Sequence, residues 1–228
     1  MPSRTDPGAK HVRGGLSRAR ILEAALSIVD REGLAALSMR RLGAELGVEA
    51  MSLYNHVPSK AAVLDGLQEV ILEGLPLLGS PCGDWVEVLR SAARSFRGAL
   101  AAHPNALPLF ASRPAVTPAV LRHVDAALGV LRGAGFGPGA CVSAFQTLVA
   151  FVVGNALSSF GPTAAGDVSP PRYGDLPPEE FPHLTAIVPS LGDRSALDDF
   201  EFGLDVLLVG LRARAASCGR ALQAGEGL

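Results

Sequence analysis

Between Ile21 and Leu75 apolar side chains recur every three or four positions, the period of helices lying on a shared core. Ile21, Ala24, Ala25, Ile28 and Val29 form one face of a first predicted helix, Ser17 to Glu32, capped by Ser17 and ended by Gly33. Ser38 caps a second, Met39 to Leu46, and the Gly47-Val48 break leads at once into a third, Glu49 to His56. Pro58-Ser59 opens a fourth, with Val63, Leu64, Leu67, Val70 and Ile71 inward, that stops near Leu75-Pro76. Further on, Asp84 to His103 carries Trp85, Val88, Leu89, Ala92, Phe96 and Leu100 on one side. Asn105 to Ser112 reads as a short helix, and Thr117-Pro118 starts another that runs to Gly133 or Gly135. Pro138 to Phe160 is long and uncharged, Phe181 to Val188 is short, and Ser195 to about Ser217 is the last helix. Gly161 to Glu180, rich in Pro, Gly and acid, reads as a mobile loop. No segment alternates with period two between hairpin turns, so the expected fold is all-α.

The stretch SMRRLGAELGVEAMSLYNHVPSK, residues 38–60, carries the most chemistry. Two short helices joined by a glycine break form a helix-turn-helix, whose second helix can enter the DNA major groove. Leu37, Leu42, Leu46, Val48 and Leu53 are spaced to face one small core. Arg40, Arg41, Tyr54, Asn55, His56 and Lys60 fall largely off that face, and Ser52 joins them on the second helix. Such groups bond phosphates and base edges. The same pattern also describes two ordinary surface helices.

Charge sharpens this picture. The 228 residues carry a net charge of −2. Residues 1–60 hold nine basic against six acidic side chains, and residues 61–228 hold eleven against sixteen. A basic N-terminal piece on an acidic body fits a small DNA-contacting module attached to something else. Cys82, Cys141 and Cys218 have no zinc spacing and are expected to be reduced, buried thiols of a cytoplasmic protein. The N-terminal MPSRTDPGAKHVRGG has no apolar signal core and reads as a disordered basic arm. The expected organisation is therefore an arm (1–16), a helix-turn-helix domain (17–75), a second helical domain (80–217) and a flexible tail (218–228).

Ala140 to Phe160 is long enough to span a bilayer, yet it carries Gln146, Asn155 and several serines and lacks interfacial anchors. A helix buried within a soluble assembly is the expectation, with no membrane partner. Leu197, Phe200, Leu204, Leu207, Leu208 and Leu211 make a broad apolar face on the last helix, where Gly203 and Gly210 lie seven apart. Together with Val149 and Val153 this surplus suggests a homodimer through a four-helix interface, two helices from each subunit.

The chain resembles the TetR family of bacterial transcriptional repressors over nearly its whole length. In the N-terminal part LSRARILEAALSIVDREGLAALSMRRLGAELGVEAMSLYNHVPSKAAVLDGL carries the resemblance; downstream it rests on ASRP, LRGAGF, FPHL and FEFGLDVLLVGL. The latter pieces are similar to the branch containing the tetracycline repressors. The resemblance implies an all-helical protein that dimerises through its last long helices and encloses a small-molecule pocket. It implies base contact by Arg40, a recognition helix opening at Ala50, Met51 and Ser52, phosphate contact by Tyr54 and His56, and Lys60 opening the fourth helix. Three departures matter: Ala50-Met51 replaces Gln-Pro, Asn55 replaces Trp, and Leu109 replaces a magnesium-binding histidine. The last argues against a magnesium–tetracycline inducer.

The expected function is a ligand-responsive repressor, released from a palindromic operator by a small, largely apolar effector. An activator of the same fold, or an interaction module that no longer reads DNA, remains open. Candidate ligand contacts are Phe96, His103, Asn105, Phe110, Phe145, Gln146, Phe151 and Asn155, although each also has a place in an ordinary core. No histidine pair has metal spacing and no set of groups converges as catalysis requires, so no cofactor, metal or enzymatic activity is expected.

Overall fold

A computed structural model describes residues 15–78, 83–161, 173–191 and 195–225, with side chains to residue 217. The helices are α1 (Arg18–Glu32), α2 (Met39–Leu46), α3 (Ala50–Leu53), α4 (Lys60–Glu73), α5 (Trp85–Ala102), α6 (Leu107–Ser112), α7 (Pro118–Gly133), α8 (Pro138–Phe160), α9 (Pro182–Leu191) and α10 (Ala196–Gly225). The described residues contain no strand. Most of the expected arm, much of the expected loop (162–172), Cys82 and the side chain of Cys218 lie outside the described residues.

The starts follow the predicted caps. Ser17, Ser38, Ser59 and Thr117 each accept a hydrogen bond from the backbone N–H three residues on. Two elements differ from expectation. α3 is a single turn, and Tyr54 to His56 continue as a non-helical turn. Pro58 disfavours helical geometry at Val57, which instead folds into the core at 1% exposure. α10 runs on to Gly225, beyond the predicted end near Ser217. Its Ala, Arg, Leu and Gln are strong helix formers, and Gly219 alone does not outweigh them.

Two apolar cores organise the chain. One gathers α1 to α4 around Ile21, Leu42, Leu53 and Leu67 and reaches forward to Ala106 and Leu109. The other packs α5, α7, α8 and α10 around Leu89, Leu131, Leu148, Phe200 and Leu204. α8 is apolar and long enough to cross a membrane, but Cys141, Ala144, Leu148, Val152, Val153 and Ala156 pack into this second core. On α5 the buried positions are Val86, Leu89, Ala93 and Leu100. The predicted Val88, Ala92 and Phe96 are only partly covered, and Ala92 and Phe96 wall a cavity.

Candidate DNA-binding surface and effector cavity

The turn between α2 and α3 is built by glycine twice. Gly47 adopts φ 68°, ψ 31°, the left-handed geometry that ends a helix, and the Val48 N–H bonds back to the Gly43 carbonyl. Gly43 lets the two helices meet: a Cβ there would lie 2.8 Å from the Val48 oxygen and 3.2 Å from the Ala50 nitrogen. An ionic lattice braces the outer side. Arg41 pairs with Glu32 at 2.6 Å and Glu45 at 2.8 Å, and Arg31 pairs with Glu45 at 2.9 Å. The hydrogen bond from Arg41 holds the Glu32 carboxyl below its ordinary range; Arg31, then Arg41, does the same to Glu45.

Arg41 is thus held by two carboxylates within the fold. Arg40, one position earlier, is exposed, as are Asn55, His56 and Lys60. Met51 is 73% and Tyr54 43% exposed, while Ala50 and Ser52 are half-buried. Leu53 is fully buried beneath them and fixes the turn on its core.

A cavity of about 370 Å³ opens between α4, α5, α7 and α8, with α6 and the segment after it at one end. Phe96, Phe110 and Phe145 line it, Phe96 meeting Phe110 edge to face at 5.7 Å. Five other predicted contacts are elsewhere. His103 Nδ1 lies 3.0 Å from Asp30, and Asn105 donates to the Asp30 carbonyl at 2.9 Å, so both fasten α1 to the second unit. Gln146 is exposed on the far side of α8. Asn155 accepts from Arg97 at 3.0 Å, and Phe151 stacks on Phe200 at 5.5 Å. Polar residues in apolar helices need partners when buried, and the sequence does not reveal which partner is a neighbouring helix.

The polar lining comes instead from Gln68, Ser91, Ser95, Arg113 and His123. Gln68 repeats the inward spacing of Leu64 and Ile71 and could have been noticed as the polar member of that face. Arg113 is paired with Asp65 at 2.6 Å. Burial, then the neighbouring Arg122 charge, pushes the His123 imidazole down, which favours its neutral form. Leu109 lies outside this lining; it is 1% exposed and packs into the first core. Among the described residues no group of three His, Cys, Asp or Glu could hold a metal ion.

The predicted dimer face also needs correction. Phe200, Leu204 and Leu208 are wholly buried within one chain, and Val153 is 6% exposed. Leu207 and Leu211 are partly covered, and Val149 lines the cavity. A Cβ at Gly203 would meet the Phe151 ring of the same chain at 2.5 Å, whereas Gly210 faces open space. The outward face of α10 carries Phe202 (67% exposed), Val206 (56%) and Val209 (69%), and α8 exposes Val142 (48%). α10 is apolar on two sides, and the sequence could not say which side met its own chain.

Residues 21–67 match the family described as "Bacterial regulatory proteins, tetR family", and residues 75–215 match "Tetracyclin repressor-like, C-terminal domain". The chain belongs to the TetR family. Among TetR relatives, the Tetracycline repressor protein class A from transposon 1721 of Escherichia coli is 33% identical over 85% of this chain and 89% of that protein. The HTH-type transcriptional repressor DrrR1 of Streptomyces coeruleorubidus is 36% identical over 67% of this chain, a match spanning 58% of that relative's length. The TetR family protein ActR of Streptomyces coelicolor, in complex with actinorhodin, is similar in structure with a TM-score of 0.78 and 30% identity, covering 89% of this chain and 99% of that one.

Proposed function

We propose that this TetR-family protein is a homodimeric, cytoplasmic repressor that grips a palindromic operator through α2 and α3 and releases it when an effector fills the cavity. The observation that carries this reading is the shared wall: α4, part of the helix-turn-helix unit, supplies Gln68 and Leu72 to the same cavity as α5, α7 and α8. An occupant there touches the element that sets the position of α3. An effector favouring a different placement shifts the population away from the DNA-binding one.

On DNA, Tyr54, His56 and Lys60 suit the phosphate backbone, and Arg40, Ser52 and Met51 suit base edges. The exposed apolar tip of Met51 fits a thymine methyl group. Residues 17–75 form the reading unit and 80–217 the effector and partner unit. The outward faces of α8 and α10 pair with a second copy, which sets two α3 turns about 34–36 Å apart.

Phenylalanine and aliphatic walls suit a largely apolar effector held by a few hydrogen bonds. A magnesium chelate wants oxygen or imidazole ligands, and Leu109 supplies neither where the tetracycline branch has histidine. The test is a gel shift with the chain's own upstream DNA, with and without compounds that raise its melting temperature. No shift with that DNA favours an interaction module; a shift that stabilising compounds strengthen favours an activator. Release by micromolar tetracycline only when magnesium is present would overturn the apolar reading.

A further inference from the structure

Gln68 is the one buried polar side chain among the described residues, at 3% exposure. Its Nε2 donates to the Leu109 carbonyl at 3.3 Å and the Arg113 carbonyl at 3.4 Å. Its Oε1 has no partner among the described residues. No fully enclosed side-chain nitrogen or oxygen among them lacks a partner, so this oxygen must open onto the cavity that Gln68 lines. Both protons of the amide point toward the carbonyls, which fixes the free atom as an acceptor. An acceptor that opens onto an otherwise apolar cavity gains a hydrogen bond from a ligand that brings a donor.

The rest of the lining limits the donor's carrier. Arg113 is neutralised by Asp65 at 2.6 Å. Among the described residues no carboxylate lines the cavity, and burial keeps the His123 imidazole toward its neutral form. Phe96, Phe110 and Phe145 present ring faces and edges to the occupant. We infer that Gln68 is the recognition residue of the cavity, its amide oxygen accepting a hydrogen bond from the hydroxyl of an uncharged aromatic ligand. This rests on reading the cavity as the effector site. The same amide spans from α4 to the end of α6, so the residue that recognises the hydroxyl also ties the DNA-binding unit to the cavity wall.

The test uses three probes of similar shape on the full chain, followed by calorimetry: 2-naphthol, 2-methoxynaphthalene, which lacks the donor, and 2-naphthoate, which is charged. Wild type should bind 2-naphthol about fivefold more tightly than 2-methoxynaphthalene, the worth of one hydrogen bond, and bind 2-naphthoate most weakly. Gln68→Met keeps the volume and should erase the preference while leaving 2-methoxynaphthalene affinity within about twofold. Gln68→Leu gives the same comparison where the Met variant does not fold, and the wild-type ratio is read without any variant. Equal affinity for the two neutral probes, or a preference that survives Gln68→Met and disappears in His123→Phe, overturns the assignment while leaving the effector site in place. Ala92→Phe fills the cavity and should abolish all binding; probes that bind it unchanged, or that fail to bind wild type at all, overturn the effector-site reading itself.

Discussion

Arg40 and Arg41 are adjacent and chemically identical, yet one is exposed and the other is held by Glu32 and Glu45. Arg40→Ala should relax base preference at one operator position, whereas Arg41→Ala should lower the melting temperature and weaken all operators alike. Measuring affinity on a panel of operator variants separates the two, and equal behaviour of the mutants would remove the distinction. The lattice also has a pH signature. The Glu32 and Glu45 carboxyls are lowered in the folded chain, so their ionised forms favour folding. That contribution is present above the ordinary glutamate value of about 4.3 and fades as pH falls through the lower folded value. Glu45→Gln should therefore melt below wild type at about pH 7, and the gap should narrow as the pH falls below the ordinary glutamate range. Thermal melts across pH check this; a gap that persists in acid would assign it to packing. Periodicity marked both arginines as off the apolar face, which is correct. The Arg41–Glu45 pair, four residues apart in α2, was open to the same reading, whereas Glu32 belongs to a different helix and no local pattern links it to Arg41.

At the scale of elements, the helix-turn-helix was legible because its determinants are local: Ser38 caps α2, Gly47 ends it and Leu53 anchors α3. Gly43 is less visible, since glycine within a helix ordinarily costs about 1 kcal/mol relative to alanine. Here the contact at 2.8 Å reverses that balance. Gly43→Ala should destabilise by about 1–3 kcal/mol and abolish DNA binding. Gly98→Ala in α5, where a Cβ meets nothing within 4 Å, should instead stabilise by about 0.5–1 kcal/mol. Denaturant melts give both signs; a neutral Gly43→Ala would mean that the turn can open without loss. The long helices were harder to orient. α10 was recognised as a helix, but Leu208 is wholly buried while Val209, next in sequence, is 69% exposed. Leu208→Glu should unfold the chain, by about 3–5 kcal/mol for an unpaired buried charge. Val206→Glu and Val209→Glu should leave each chain folded and give monomers on sedimentation. If they remain dimers, the second copy sits elsewhere.

Across the whole molecule, the two apolar cores are joined by cross-ties that no local pattern announces. α1 is fastened through Asp30 to His103 and Asn105, and α4 through Asp65 and Gln68 to Arg113 and the end of α6. Partners so far apart along the chain come together only once both cores have formed, which is why His103 and Asn105 were read as ligand contacts. The ties around α4 lie at the edge of the cavity, and the proposed function has them pass the bias of an occupant to α3. Coupling of this kind is a free energy shared between two sites, and it acts equally in both directions. Asp65→Asn keeps the side-chain size and removes the charge facing Arg113. The variant should still bind an effector and melt higher in its presence. Its effector should weaken operator binding less than in wild type, by about 2- to 30-fold in the coupling factor. Operator titrations with and without saturating effector give that factor, and effector titrations with and without operator must return the same number. A factor equal to that of wild type, reached from both directions, would show that the Asp65–Arg113 pair holds the fold together without carrying the signal.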